Sequence, residues 1–202
     1  SSYVLISLGA QRNALTAALR YLILGTVGAT FYIIGVGLLY QMTGTLNIAD
    51  LATRLPEVAS TKTILVAIGF ITVGIGLKLG LFPLHVWMPN AYAYAPSVVT
   101  AFLAATATKV AVYALLRVYF SVFGISVFST LPIAEVLLLL GLIAILSMSA
   151  VAIYQNNTKR LLAYSSVAQV GYMVIGISMV TVTGLTATIL HLFNHAIIKG
   201  AL

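Results

Sequence analysis

Residues 97–120 read SVVTAFLAATATKVAVYALLRVYF, an unbroken apolar run with one lysine, Lys109, near its centre. A bilayer crossing needs about 20 mostly apolar residues in helical form, and this run supplies them without a Gly or Pro. A charge at the middle of such a helix costs about 2.5–3.5 kcal/mol on insertion scales, so a lysine kept there needs a reason. Further runs of the same kind lie at Ala17–Tyr40, Thr63–Leu81, Leu131–Tyr154 and Leu161–Val182, and a sixth, Gly184–Leu202, stops short. Apolar on every side at these lengths, they predict membrane-spanning helices rather than core helices of a soluble domain. Strand-period alternation is missing, which argues against a transmembrane barrel. The predicted fold is an all-α integral membrane protein, a multi-helix bundle that treats residues 1–202 as a single transmembrane domain. Gly25, Gly28, Gly35 and Gly37 predict close helix packing, because small residues let helices approach where lipid gives no drive to associate.

Composition agrees. Of the 202 residues, 61% are hydrophobic and 6% charged, against roughly 25% charged in a soluble domain. Ten Lys and Arg face three Asp and Glu, for a net +7. The positive residues are scattered singly with no basic run, so a nucleic-acid partner is excluded and the lipid bilayer is the expected surrounding. With no Cys, disulfides, thiolate catalysis and cysteine-held metal or iron–sulfur sites drop out. The chain starts at Ser1 without a signal-peptide pattern and stops inside an apolar run. It therefore reads as an internal piece of a longer protein, truncated at both ends. Counting loops alternately, one side holds Arg12, Arg20, Lys159 and Arg160 with no acid, and is predicted to be cytoplasmic. The other holds Arg54, Lys62 and Arg117 together with Asp50, Glu57 and Glu135. Arg12, Arg20, Lys159 and Arg160 read as interfacial anchors, Arg117 as a snorkelling side chain, and Glu135 as a first-turn anion favoured by the helix dipole.

Other polar residues have no such address. Lys109 cannot easily snorkel from mid-helix, and all three acids lie at predicted ends or loops. Its partner must come from outside this stretch of chain, or the amine is neutral or hydrated. A lysine held away from water changes protonation state readily. Lys78 lies in GIGLKLGLFPLHVWMP (74–89), where Gly80, Pro83 and Pro89 predict a helix break. Broken helices beside a charge are a recurring way to build ion sites in transporters; the plainer reading has Lys78 snorkelling from the last turn of its span. His191, His195 and Lys199 are spaced i, i+4 and i+8, which puts them on one helix face about 6 Å apart per step. Such a row suggests a proton path, since histidine titrates near neutral pH. Asn194 beside them, Gln169 in the preceding span, and His85 next to Trp87 are accessory candidates. An HxxxH pair can also mark metal, but Leu192 stands where a zinc protease has its glutamate and no third ligand is evident. No metal and no cofactor is expected.

Three stretches carry a resemblance: GIGLKLGLFPLHVWMPNAYAYAPSVVTAFLAATATKVAVYALLR (74–117), QNNTKRLLAYSSVAQVGYMVIG (155–176) and HLFNHAIIKGAL (191–202). The chain resembles the proton-translocating antiporter-like membrane family throughout its length. That family comprises the antiporter-like subunits of respiratory complex I, the large subunits of Mrp-type Na+/H+ antiporters and the matching subunits of membrane-bound hydrogenases. The resemblance implies a larger bundle built from inverted repeats, set among other membrane subunits of a multi-subunit complex. It implies carriage of protons, with or without Na+, in a bacterial or archaeal cell membrane or an organelle inner membrane. In the family pattern Lys78 matches the lysine at the first broken helix, Lys109 that of the next helix, and His191, His195 and Lys199 the linking polar run. The family's key glutamate then falls just upstream of Ser1, and its last-helix lysine beyond Leu202. Tyr92 stands where many members have a second histidine, and Met88 replaces a leucine.

The resemblance implies no redox chemistry within this chain. Any enzymatic role would be as part of an NADH:quinone oxidoreductase that couples electron transfer to ion translocation. Three other functions fit the residues less fully. An intramembrane metalloenzyme would use His191 and His195, an organic-solute carrier would cradle its substrate at the broken helix, and a purely structural subunit leaves Lys109 unexplained.

Overall fold

The computed structural model describes residues 2–9 and 11–202, and no strand occurs among them. The helices are α1 (Ser2–Ser7), α2 (Arg12–Thr43), α3 (Ile48–Val58), α4 (Lys62–Leu79) and α5 (Met88–Tyr94). They continue as α6 (Ser97–Val122), α7 (Gly124–Thr130), α8 (Ile133–Ile153), α9 (Thr158–Ser178) and α10 (Val182–Ala201). Among the described residues α2, α4, α6, α8 and α9 are long and apolar enough to cross a membrane. α10 fills the place of the expected sixth span over 20 residues, with His191, Asn194, His195 and Lys199 interrupting its apolar run. At a rise of 1.5 Å per residue, α2 is about 48 Å long, more than the roughly 30 Å of hydrocarbon, so its ends reach past it or it tilts.

Successive spans run antiparallel. α2 packs along α4, α8 along α9, and α9 along α10. Each of these pairs meets glycine to glycine. A Cβ on Gly28 would come within 3.0 Å of the Gly74 carbonyl, and one on Gly74 within 2.7 Å of the Gly28 carbonyl. Gly141 and Gly171 face each other in the same way, at 3.0 and 2.9 Å, and so do Gly176 and Gly184, at 2.8 and 2.6 Å. Backbone therefore touches backbone across these seams, where dispersion rather than water exclusion holds helices together. Of the four α2 glycines expected to serve packing, Gly28 and Gly35 do; Gly25 and Gly37 do not, having nothing within 4 Å of a Cβ. The helical period turns those two away from α4.

Two buried clusters fill the interior. One, toward the end carrying α3 and α7, includes Leu55, Ile64, Ile68, Tyr119, Phe123 and Phe128. The other, toward the end carrying α5, includes Ile6, Tyr21, Trp87, Met88, Tyr92 and Ala163. Arg20 and Arg160 line one cavity at the latter end, which agrees with the expected grouping of positive residues on one side. Lys159 and Arg160 do more than anchor the interface. Lys159 Nζ donates to the Ala95 carbonyl at 2.9 Å, and Arg160 Nη2 donates to Asn90 Oδ1 and Tyr94 Oη, each at 3.1 Å. Together they fasten the start of α9 to α5 and the corner after it. At the opposite end Arg54 Nε donates to Asp50 Oδ1 at 2.9 Å, and this hydrogen bond holds the Asp50 carboxyl below the usual carboxylate range.

Asn157 caps the start of α9, its Oδ1 accepting from the Arg160 N–H at 3.2 Å. Asn157→Ala is expected to destabilise the protein by about 1 kcal/mol, read as a lower midpoint of thermal unfolding in detergent; an unchanged midpoint would show that water caps this terminus as well as the side chain does.

Candidate functional site

The expected break is present, with its parts in different roles. α4 ends at Leu79, and Gly80 caps it in the left-handed region at φ +75. A side chain there would also strike the Met88 side chain. The N–H groups of Gly80 and Leu81 both donate to the Gly76 carbonyl at 2.9 Å, while Trp87 Nε1 donates to the Leu77 carbonyl at 2.8 Å. These bonds satisfy two of the last four carbonyls of a helix that stops short, as apolar surroundings require. Pro83 lies in the turns between α4 and α5. Pro89 lies on the far side of the break, in the first turn of α5, where a missing N–H and a fixed φ are favourable.

Lys78, in the last turn of α4, donates to Tyr21 Oη at 2.6 Å and lies over the Tyr21 ring, 4.7 Å from its centroid. Tyr21 in turn meets Trp87 edge-on at 4.8 Å. Nothing in the local sequence around Lys78 pointed to Tyr21, which lies 57 residues away on α2. Lys78 is exposed among the described residues, and it borders a cavity of about 440 Å3 lined by Gly25, Gly28, Gly74, Ala107 and Ala111.

Lys109 and Lys199 are buried, each 7% exposed. α6 widens into a π-helical turn over Leu103–Ala107, two residues before Lys109, and Lys109 Nζ donates to the Ala104 carbonyl within it and to Thr108 Oγ1 at 3.3 Å. π-turns of this kind gather at functional positions, and no residue pattern in the run announced this one. Lys199 Nζ donates to the Leu162 carbonyl and to Ser165 Oγ, both at 3.2 Å. Both lysines therefore have neutral acceptors; the one ion pair among the described residues is Arg54 with Asp50.

α10 packs against the π-turn of α6, which brings its polar face to Lys109. His191 and His195 stack in parallel, ring centroids 6.1 Å apart and planes 2° apart. His195 is 4% exposed. Its Nδ1 and Nε2 and the Nε2 of His191 are buried without a protein hydrogen-bond partner. The i, i+4, i+8 spacing thus puts His191, His195 and Lys199 on one inward face, as expected. Asn194 is exposed and does not share that face. Gln169 borders a cavity of about 460 Å3 with Tyr172, Thr188 and His191. His85, in the turns after the break, stacks on Phe82 at 5.6 Å and meets Tyr164 edge-on at 6.3 Å. Among the described residues no group of three or more His, Cys, Asp or Glu side chains is placed to hold a metal ion; His191 and His195 stand as a pair.

A bundle of apolar spans, one interrupted beside a lysine and two carrying an internal row of lysine and histidine, defines a polytopic helical membrane protein with titratable groups buried inside it. The family described as NADH:quinone oxidoreductase/Mrp antiporter, transmembrane, matches residues 1–202. NADH-quinone oxidoreductase subunit N of Desulforudis audaxviator is 47% identical over all of this chain and 40% of its own length. An Na(+)/H(+) antiporter subunit of Alkalihalophilus pseudofirmus is 34% identical, again over all of this chain and 40% of its own. A chain of the membrane-bound sulfane sulfur reductase, an archaeal respiratory membrane complex, superposes with a TM-score of 0.90 at 33% identity, covering 98% of this chain and 40% of that one. The chain belongs to the NADH:quinone oxidoreductase/Mrp antiporter transmembrane family, and it spans about two fifths of the length of the relatives it matches.

Proposed function

We propose that residues 1–202 form a single transmembrane unit within a longer antiporter-like subunit, and that this subunit carries protons across a bacterial or archaeal cell membrane, alone or in exchange for Na+. The observation that carries the reading is the buried row of Lys109, His195 and Lys199, in which the two amines donate only to neutral groups and both His195 ring nitrogens lack a protein partner. An amine with neutral acceptors can give up a proton without stranding a carboxylate partner, and a histidine with free ring nitrogens can take one. In this reading Lys78 exchanges a proton at the helix break, Lys109 passes it inward, and His191, His195 and Lys199 carry it along the bundle. His191 and Lys199 are about 12 Å apart at helical rise, so water must bridge them; buried polar atoms without protein partners are where ordered water binds. The relatives named as quinone oxidoreductase subunit and Na(+)/H(+) antiporter subunit support other membrane subunits as partners, with electron transfer, where there is any, located in those partners.

The test is proton uptake into proteoliposomes by the intact complex. Lys78→Ala and His195→Leu are each expected to cut the rate at least tenfold, the lower end of what a positioned proton-transfer group contributes (roughly 100-fold or more) being allowed for by water bypass. Unimpaired uptake in both variants would sink the relay.

A further inference from the structure

We propose that Arg20 and Arg160 form a binding site for a phosphate-bearing anion, supplied by the headgroup of an anionic phospholipid. The two arginines line one cavity of about 250 Å3 where α2, α5 and α9 converge, together with Asn13, Thr16, Asn90 and Tyr94. The anion-binding chemistry rests on charge and on free donors. The three acids of the chain are Asp50 and Glu57 in α3 and Glu135 in the first turn of α8, so none belongs to the elements that build this cavity. Arg160 is already oriented: Nη2 is held by Asn90 and Tyr94, and the guanidinium lies over the Tyr94 ring, 5.7 Å from its centroid. Its Nε and Nη1 donors have no acceptor among the described residues, and Arg20 makes neither a hydrogen bond nor an ion pair there. Two guanidinium forks opening on one cavity match the geometry in which arginine holds phosphate oxygens, and the Asn13 amide and Thr16 hydroxyl add neutral donors.

The lipid source follows from what lies beside the cavity. Asn13, Thr16 and Arg20 follow one another at i, i+3 and i+7 on α2, and the adjoining stripe of the same helix is Leu15, Leu19 and Ile23, exposed by 60, 56 and 51%. A phosphate held by the arginines would thus have an apolar track beside it for acyl chains. The same end of the bundle carries Arg12 and Lys159, and basic pockets between transmembrane helices bind anionic headgroups.

The experiment uses the full-length subunit in its complex, delipidated in detergent and titrated separately with phosphatidylglycerol, phosphatidylcholine and inorganic phosphate, with bound lipid read by native mass spectrometry. Phosphatidylglycerol is expected to bind and phosphatidylcholine to bind far less. Arg20→Gln is expected to weaken phosphatidylglycerol roughly fivefold, the effect of one arginine at a membrane surface, and Arg20→Lys, which keeps the charge but not the fork, to restore part of it. Arg20 has no partner among the described residues whose loss would disturb folding, and an unchanged elution volume for each variant verifies this. Saturable inorganic phosphate binding that Arg20→Gln weakens, without phosphatidylglycerol binding, would support the anion site and overturn the lipid as its source. Phosphatidylglycerol binding unaffected by Arg20→Gln, or no binding of any of the three, would overturn the site.

Discussion

Lys109→Met in the intact complex is expected to abolish proton translocation while leaving the subunit assembled. Methionine keeps the length and apolar stem of lysine, so the packing of α6 against α10 is retained. What disappears is the one amine on α6; the other cation of that helix, Arg117, lies two turns on and is exposed. The Ala104 carbonyl and Thr108 hydroxyl lose a donor, a penalty of about 1–3 kcal/mol for a buried acceptor left unpaired. That is small enough for the bundle to survive. Transport is different: a relay missing its link between Lys78 and the α10 histidines has to move the proton through apolar residues, and the rate falls by more than tenfold. Lys109→His, which keeps a titratable group at the position, is expected to retain part of the activity and to move its pH profile toward the histidine range. Proton uptake by assembled complex reads both variants, and wild-type rates in Lys109→Met would remove Lys109 from the path.

Gly35→Leu is expected to be the most damaging apolar substitution on α2. A Cβ at Gly35 would lie 2.5 Å from Ile71 Cγ1, 2.8 Å from the Ala67 carbonyl and 3.0 Å from the Ile71 amide. Two of those atoms are backbone of α4 and cannot rotate away, so the helices must separate along their whole seam. Overpacking of this kind costs roughly 1–3 kcal/mol and occasionally more, and here it also disturbs the nearby Gly28–Gly74 contact and, beyond it, the Tyr21–Lys78 contact. Gly37→Leu, two residues on, meets nothing within 4 Å and is expected to change stability by less than about 0.5 kcal/mol. The comparison is read from the thermal unfolding midpoint and the yield of intact complex. Equal losses in the two variants would mean that the α2–α4 seam does not control stability.

These two substitutions mark where reading residues in a line reaches its end. The run of apolar residues around Lys109 was enough to predict a spanning helix, because in lipid a segment of that length has one way to satisfy its backbone. The row His191, His195 and Lys199 was legible for a similar reason, since helical period alone decides which side chains share a face. Gly80 and Pro83 announced a break through their backbone chemistry. Pro89, by the same chemistry, equally suits the first turn of a helix, and local rules did not distinguish ending one helix from opening the next. Gly35 and Gly37 are indistinguishable as letters, and Gly25 differs from Gly28 only in phase relative to a neighbour not yet known.

The long apolar spans, the mid-helix lysine and the shared face of α10 were thus determined by the sequence itself, because each depends on hydropathy and periodicity within one segment; the short helices α1, α3, α5 and α7 were not. Partnership was decided only by the tertiary structure. Tyr21 reaches Lys78 across 57 residues, Leu162 and Ser165 receive Lys199 from the neighbouring helix, and Arg20 and Arg160 share a cavity from opposite parts of the chain. The π-turn at Leu103–Ala107 belongs to the same class, since it brings Lys109 an acceptor that a regular helix pattern does not suggest. In a bilayer almost any apolar face can pack against another, so backbone-to-backbone fit at glycines and a few hydrogen bonds, and not the distribution of hydrophobic residues, select which helices meet.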